Sequence, residues 1–179
     1  MTHPPAAAAR PPSRRAEDTL AIRPFDESLP MALLRGREAI MRLFRPLLAA
    51  HDLTEQQWRV LRALAAADAP LRIGELAEHT FLLGPSLSRI LANLESRGLI
   101  ERTKAAHDQR ASTVGLTEHG RTLVQDIAPT SEATYALIER RFGTDRLGHL
   151  LDELHALAAL DLEPTPSAHQ TTNEEEDVR

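Results

Sequence analysis

Two short extended runs set into an otherwise helical chain constrain this sequence more than any other feature. Leu99 to Lys104 and Ala111 to Leu116 carry strand-type patterning, and the polar segment Ala105-Ala106-His107-Asp108-Gln109-Arg110 joins them. Such a pair, bridged by polar residues, predicts a β-hairpin. On both sides of it the apolar residues recur at three- and four-residue intervals, the period of amphipathic helices.

The helices follow from that period and from their caps. A first helix at about residues 30–49 has Leu33, Leu34, Arg37, Met41, Phe44 and Leu48 on one face, and Pro46 is expected to kink or end it. Thr54 opens a second, because the T-x-x-Q spacing to Gln57 forms a capping box, with Trp58, Leu61 and Leu64 facing inward. A third covers about 72–79. The fourth has Gly84 at its cap and Pro85 in the first helical position, where a missing N–H costs nothing. Its core face is Leu87, Ile90, Leu91 and Leu94, and Gly98 stops it. After the hairpin, Thr117 caps a long helix to about Arg141, bent at Pro129, and a last helix runs from Thr144 to Leu160.

Two helices separated by a short turn and followed by a hairpin outline a winged helix-turn-helix. The expected fold is mainly α with a small β-wing: a DNA-binding lobe at about 53–118 and a helical dimerisation lobe made of 28–50 and 117–161. In the last helix Leu147, Leu150, Leu154 and Leu157 repeat at 3, 4, 3 spacing. That is a coiled-coil seam, narrower than the stripe of a helix lying on its own core, and it points to dimerisation. Packing within one subunit is the alternative.

Both ends lack a period that could bury a face. Pro4, Pro5, Pro11 and Pro12 around an alanine run mark 1–27 as a disordered arm, and Pro164, Pro166 and the acidic end mark 163–179 as a disordered tail. From Asp161 onward six acidic residues face one arginine, which accounts for the whole net charge of -5. Residues 1–160 are therefore balanced, and local clustering decides what they bind.

Composition excludes several chemistries. Without cysteine there is no disulfide, thiolate zinc site or thiol switch. His79, His107, His119, His149 and His155 have no metalloprotease spacing, and no Ser/His/Asp pattern or glycine-rich phosphate loop occurs. The expectation is a non-enzyme with no cofactor and no metal. No apolar run reaches the roughly 18 residues that cross a bilayer, and the N-terminus lacks a signal-peptide pattern, so a cytoplasmic protein with no membrane partner is expected.

A fourth helix entering a major groove would present the face away from its leucines. Helical spacing puts Ser86, Arg89 and Asn93 there, with Pro85 and Ser88 near the helix start and Arg72 at the start of the third helix. Small hydroxyls approach phosphates closely, and an arginine can fork onto guanine O6 and N7. Any solvated helix face also displays Ser, Arg and Asn. The hairpin adds Arg102 and Lys104 on its incoming strand and Arg110 at its tip beside Asp108, where a guanidinium suits a narrow minor groove. Asp108 equally suits an ordinary Asx turn.

Asp108-Gln109-Arg110, five residues, then Leu116-Thr117-Glu118-His119-Gly120 fit D-x-R-x5-L-T-x-x-G. This resembles the wing signature of MarR-type transcriptional regulators. With LTEQQWRVL (Leu53 to Leu61), the helix Pro85 to Arg97 and RGLIER (Arg97 to Arg102), the resemblance covers roughly residues 30–160. RGREAIMRLFRP (Arg35 to Pro46) with LTEQQWR is similar, more narrowly, to the homoprotocatechuate-repressor branch, which governs aromatic-acid catabolism. The resemblance implies a homodimer whose first, fifth and sixth helices interlock and whose two wings straddle a palindrome in double-stranded DNA. Arg110 would enter the minor groove and Asp108 would brace the wing by pairing with an arginine. Gly115 departs from the bulkier residue usual at its position, which implies a looser wing.

Arg37 lies on the first helix's apolar stripe, one turn from Leu33 and one from Met41, where a buried guanidinium needs an anionic partner. Glu38, Glu55 or a carboxylate of a second subunit could supply it. So could a small aromatic carboxylate effector held by Arg37 or Arg35, with Trp58, Met41 and Phe44 as apolar walls. His51 is a further candidate, or a solvated loop histidine. The resemblance supports an arginine of the first helix as the carboxylate's partner. The expected function is a repressor of an aromatic or heteroaromatic acid operon released by such a ligand. A ligand-independent winged-helix regulator and a protein-interaction module are the alternatives.

Overall fold

Thr54 caps its helix as its spacing predicts: its hydroxyl accepts the Gln57 N–H at 3.2 Å, and Gln57 Oε1 accepts the Thr54 N–H at 2.8 Å. The computed structural model describes the backbone of residues 22–105 and 108–161, and the side chains of 104–111 lie outside the description. Most of the expected arm and all of the acidic tail at 163–179 are likewise outside it. The elements are α1 (Leu29–Ala50), α2 (Glu55–Ala66), β1 (Leu71–Arg72), α3 (Ile73–Thr80), α4 (Gly84–Ser96), β2 (Ile100–Ala105), β3 (Asp108–Leu116), α5 (Glu118–Phe142) and α6 (Thr144–Ala158). Phe25–Glu27, at the end of the expected arm, form one 3-10 turn ahead of α1.

The chain divides into two compact units at the junction of Pro46 and Leu47. Pro46 does not end α1, and Pro129 stays inside α5. Each proline removes one backbone donor, a local loss that the neighbouring turns of a long helix tolerate.

In the second unit the apolar faces meet as the period requires. Leu61, Leu76, Leu87, Leu91, Leu94, Val114 and Ile127 are fully buried, whereas Ile90, expected in the core, is only half-buried. Arg62 on α2 donates to the Tyr135 hydroxyl of α5 at 2.6 Å. The sheet is antiparallel in the order β1-β3-β2. β1 is the element that periodicity does not reveal: Leu71 pairs with Val114 and Arg72 with Thr113. The hairpin connection is shorter than its six-residue segment implies, because Ala105 already lies opposite Asp108. Lys104 is opposite Ser112, so the ladder is irregular there, and Arg110 belongs to β3 and not to the turn.

Gly98 ends α4 at φ +66, with its N–H on Glu95 O and the Leu99 N–H on Leu94 O, the paired bonds of a Schellman stop. The return from the wing is tied to that stop. The Thr117 N–H donates to Leu99 O at 3.2 Å, and its hydroxyl donates to Gly98 O at 2.6 Å while accepting the Gly120 N–H at 3.0 Å. Leu116, Thr117 and Gly120 of the wing signature thus close one knot between α4, β3 and α5. Gly115 lies beside Pro70, whose Cγ would meet an added Cβ at 3.4 Å, so this strand position is already covered.

Candidate nucleic-acid interface

Helix α4 turns its leucines inward, which leaves Pro85, Ser88 and Arg89 exposed and Ser86 half-buried at its N-terminal end. No side chain caps that end, since the N-cap residue is Leu83; the cap expected at Gly84 falls one residue earlier. An uncapped helix start offers N–H groups and the positive end of the helix dipole to an anion.

The arginines nearby fall into two groups. Arg97 donates to the carbonyls of Asp52 and His51, and Arg59 donates to Thr80 O. Arg102 lies with its Nε 3.0 Å from Glu95 Oε2, close enough for an ion pair but not aligned as a hydrogen bond. Its Nε is therefore directed at Glu95 on α4, the helix expected to face DNA. Arg72 and Arg89 are exposed and have no ion pair among the described residues. The Arg72 N–H is held by Glu75 at 2.8 Å, which fixes its backbone at the head of α3.

Asn93, expected to face outward, accepts from Gln57 Nε2 of α2 at 2.6 Å. One of its amide atoms is engaged within the protein, so Ser86, Ser88 and Arg89 form the more available part of the α4 face. Lys104, Asp108 and Arg110 have backbones in β2 and β3, and their side chains are outside the described set.

Among the described residues the leucine seam of α6 finds no full cover. None of the helix's residues is buried; Leu147, Leu154 and Leu157 are half-buried and Leu150 is 43% exposed. An apolar row of that kind calls for a second surface.

The first-helix residues read differently from their sequence expectation. Arg37 is not buried: its side chain is 40% exposed, and Glu38 Oε1 lies 2.9 Å from it. The same carboxylate receives Arg45 Nη2 at 2.6 Å, so Glu38 joins two guanidiniums on one face. The period placed Arg37 on the stripe correctly, yet a long side chain at the stripe's edge reaches solvent. Arg35 stacks over the Phe25 ring at 5.5 Å. Met41 is half-buried and Phe44 buried. In the second unit Trp58 is buried, and His51 contributes its carbonyl to Arg97. Among the described residues no group of three His, Asp or Glu side chains could hold a metal ion, and no helix is long and apolar enough to cross a membrane.

Comparison with known proteins adds three findings. The model of the MarR family matches residues 51–111. The homoprotocatechuate degradative operon repressor of Escherichia coli is 39% identical over 147 residues, 80% of this chain and 99% of the relative. Two solved structures share the architecture. NadR in complex with 4-hydroxyphenylacetate has a TM-score of 0.67 and 37% identity, covering 73% of this chain and 95% of NadR. The repressor CouR bound to a 23-mer DNA duplex has a TM-score of 0.68 and 28% identity, covering 74% of this chain and 94% of CouR.

Proposed function

Because this chain belongs to the MarR family, and is a transcriptional regulator and not an enzyme, we propose that it is a homodimeric repressor of an aromatic-acid catabolic operon, released from a palindromic operator by a small carboxylated aromatic ligand. The observation that carries the DNA half of this reading is the outer face of α4: an uncapped start, two serines and an Arg89 with no ion pair among the described residues. Each copy of α4 enters a major groove with Arg89 on a guanine edge, while Ser86, Ser88 and the helix's free N–H groups meet phosphates. Arg72 supplies a further phosphate contact from α3. The wing lies along the backbone, with Arg110 directed to the minor groove and Lys104 beside it, and with Asp108 bracing the hairpin. Leu147, Leu150, Leu154 and Leu157 join the two subunits.

The ligand half rests on α1 and on the relatives. NadR carries an arylacetic acid. In this chain Arg35 and Arg37 put two guanidiniums on the same helix as Met41 and Phe44. A carboxylate held by either arginine, with apolar contact from those two side chains, has the chemistry such an acid requires. Linkage sets the demand on it: weakening operator binding a hundredfold needs a preference of about 2.7 kcal/mol for the DNA-free arrangement.

The test is a titration with benzoic, hydroxybenzoic and arylacetic acids, read as affinity for a duplex that the protein selects from a randomised pool and as melting temperature. At least one acid is expected to raise the melting temperature and to weaken duplex binding by about a hundredfold. Arg35→Ala or Arg37→Ala is expected to abolish that response. If no acid moves either quantity, the chain regulates without this class of effector.

A further inference from the structure

The turn between α3 and α4 breaks two local rules in succession. Phe81, the C-cap of α3, sits in the left-handed region at φ 52, ψ 36. A bulky residue is an outlier there, and glycine is the usual occupant. The other positive-φ positions among the described residues are Gly98, Gly143 and Asp52, types that tolerate the conformation. Two residues on, Leu83 takes the N-cap of α4 with no side-chain hydrogen bond, although this chain caps α2 and α5 with threonines that make one. A leucine N-cap forgoes a bond that Ser, Thr, Asp or Asn supplies.

Both side chains point into water. Phe81 is 89% exposed, more than any other large apolar residue described, and Leu83 is 79% exposed. Neither conformation is a loose end. Thr80 is fully buried, its hydroxyl donates to Leu76 O at 2.6 Å, and its carbonyl accepts from Arg59 Nη1 at 2.9 Å. The aromatic ring is thus carried on a fixed mount, four residues ahead of Pro85. Strained backbone that the surroundings hold in place clusters at functional sites, and the inference runs from the observed outlier to the role.

We propose that Phe81 and Leu83 form an apolar knuckle that reads thymine C5-methyl groups in the major groove beside the bases met by α4. The inference rests on the DNA-binding reading above and extends it, because that reading uses only polar contacts. Thymine presents the one apolar group on the major-groove edge of the four bases, and apolar side chains recognise it by contact. The position fits: the knuckle immediately precedes the helix start that approaches the phosphates.

The chosen variant relieves strain as it removes the ring. Phe81→Gly puts the preferred residue at a left-handed cap, so the melting temperature is expected to stay level or rise. The probe is the duplex selected by the wild-type protein from a randomised pool, together with versions in which each thymine in turn is deoxyuridine. Wild type is expected to lose about fourfold in affinity at one or more thymines of each half-site, the equivalent of ~0.8 kcal/mol for one buried methyl-sized group. Phe81→Gly is expected to bind the thymine duplex about five- to tenfold more weakly and to ignore the exchange for uracil at one or more of the thymines that wild type discriminates. Phe81→Leu, which keeps an apolar side chain, is expected to retain part of the discrimination. A Phe81→Gly protein that binds as wild type does, or discriminates at every thymine that wild type does, overturns the proposal, as does a wild type indifferent to every exchange. Failure to select any duplex would instead overturn the DNA-binding reading itself.

Discussion

Replacing Gly120 by alanine is expected to remove a large part of the folding stability. An added Cβ would stand 2.0 Å from Leu99 O, 3.0 Å from Leu99 C and 3.3 Å from Leu116 Cδ2. The obstacle is backbone, not the end of a flexible side chain. That carbonyl also accepts the Thr117 N–H, so moving it breaks the knot that fixes the wing's return to α4. Overpacking costs about 1–3 kcal/mol or more, and a lost hydrogen bond about 1 kcal/mol. Together these approach ~3–4 kcal/mol, a major share of the ~5–15 kcal/mol that holds a domain folded. Urea unfolding followed by circular dichroism checks this, with Gly74→Ala as the control. Gly74 has nothing within 4 Å of a new Cβ, so that substitution is expected to leave stability level or raise it by up to ~1 kcal/mol. Equal midpoints for the two variants would show that the close approach is absent in solution.

Arg89→Ala is expected to have the largest effect on function without touching the fold. The side chain is exposed and makes no ion pair among the described residues, so its removal leaves no buried partner behind. A guanidinium forked onto guanine contributes about 1–3 kcal/mol of discrimination, and a dimer places two of them on the operator. The expected loss is then roughly thirtyfold to more than a thousandfold, confined to the selected duplex and accompanied by relaxed preference at one base pair per half-site. Arg72→Ala should behave differently, weakening all duplexes alike and flattening the salt dependence. Anisotropy titrations with the selected duplex and a scrambled one separate the two patterns. Equal losses on both duplexes for Arg89→Ala would reassign that arginine to the phosphates.

The features legible in the sequence were those fixed by neighbours a few positions apart. Thr54 with Gln57, Pro85 at a helix start, Gly98 at a helix stop and Thr117 with Gly120 each act through bonds inside one turn, so spacing is enough to find them. Features that depend on distant partners were not. β1 has two residues, too few for an alternation, and exists because Val114 and Thr113 arrive beside it. Arg102 shows basic charge in the sequence, yet its direction is set by Glu95 on another element. Arg37 obeys the helical period, while its exposure and its bond to Glu38 depend on where a flexible stem ends. The hairpin's six connecting residues suit a loop or a continued ladder equally, and the pairing of Ala105 with Asp108 chose the ladder. Phe81 has no spacing in the sequence that marks it out; its left-handed backbone and its exposure show only in the structure.

The most direct test is the mass, by light scattering, of the complex between the full-length protein and its selected duplex. Two α4 helices carried by partners joined along α6 require two chains on each duplex, and that stoichiometry is the expected result. One chain per duplex, or no complex at all, would contradict a paired reader of DNA.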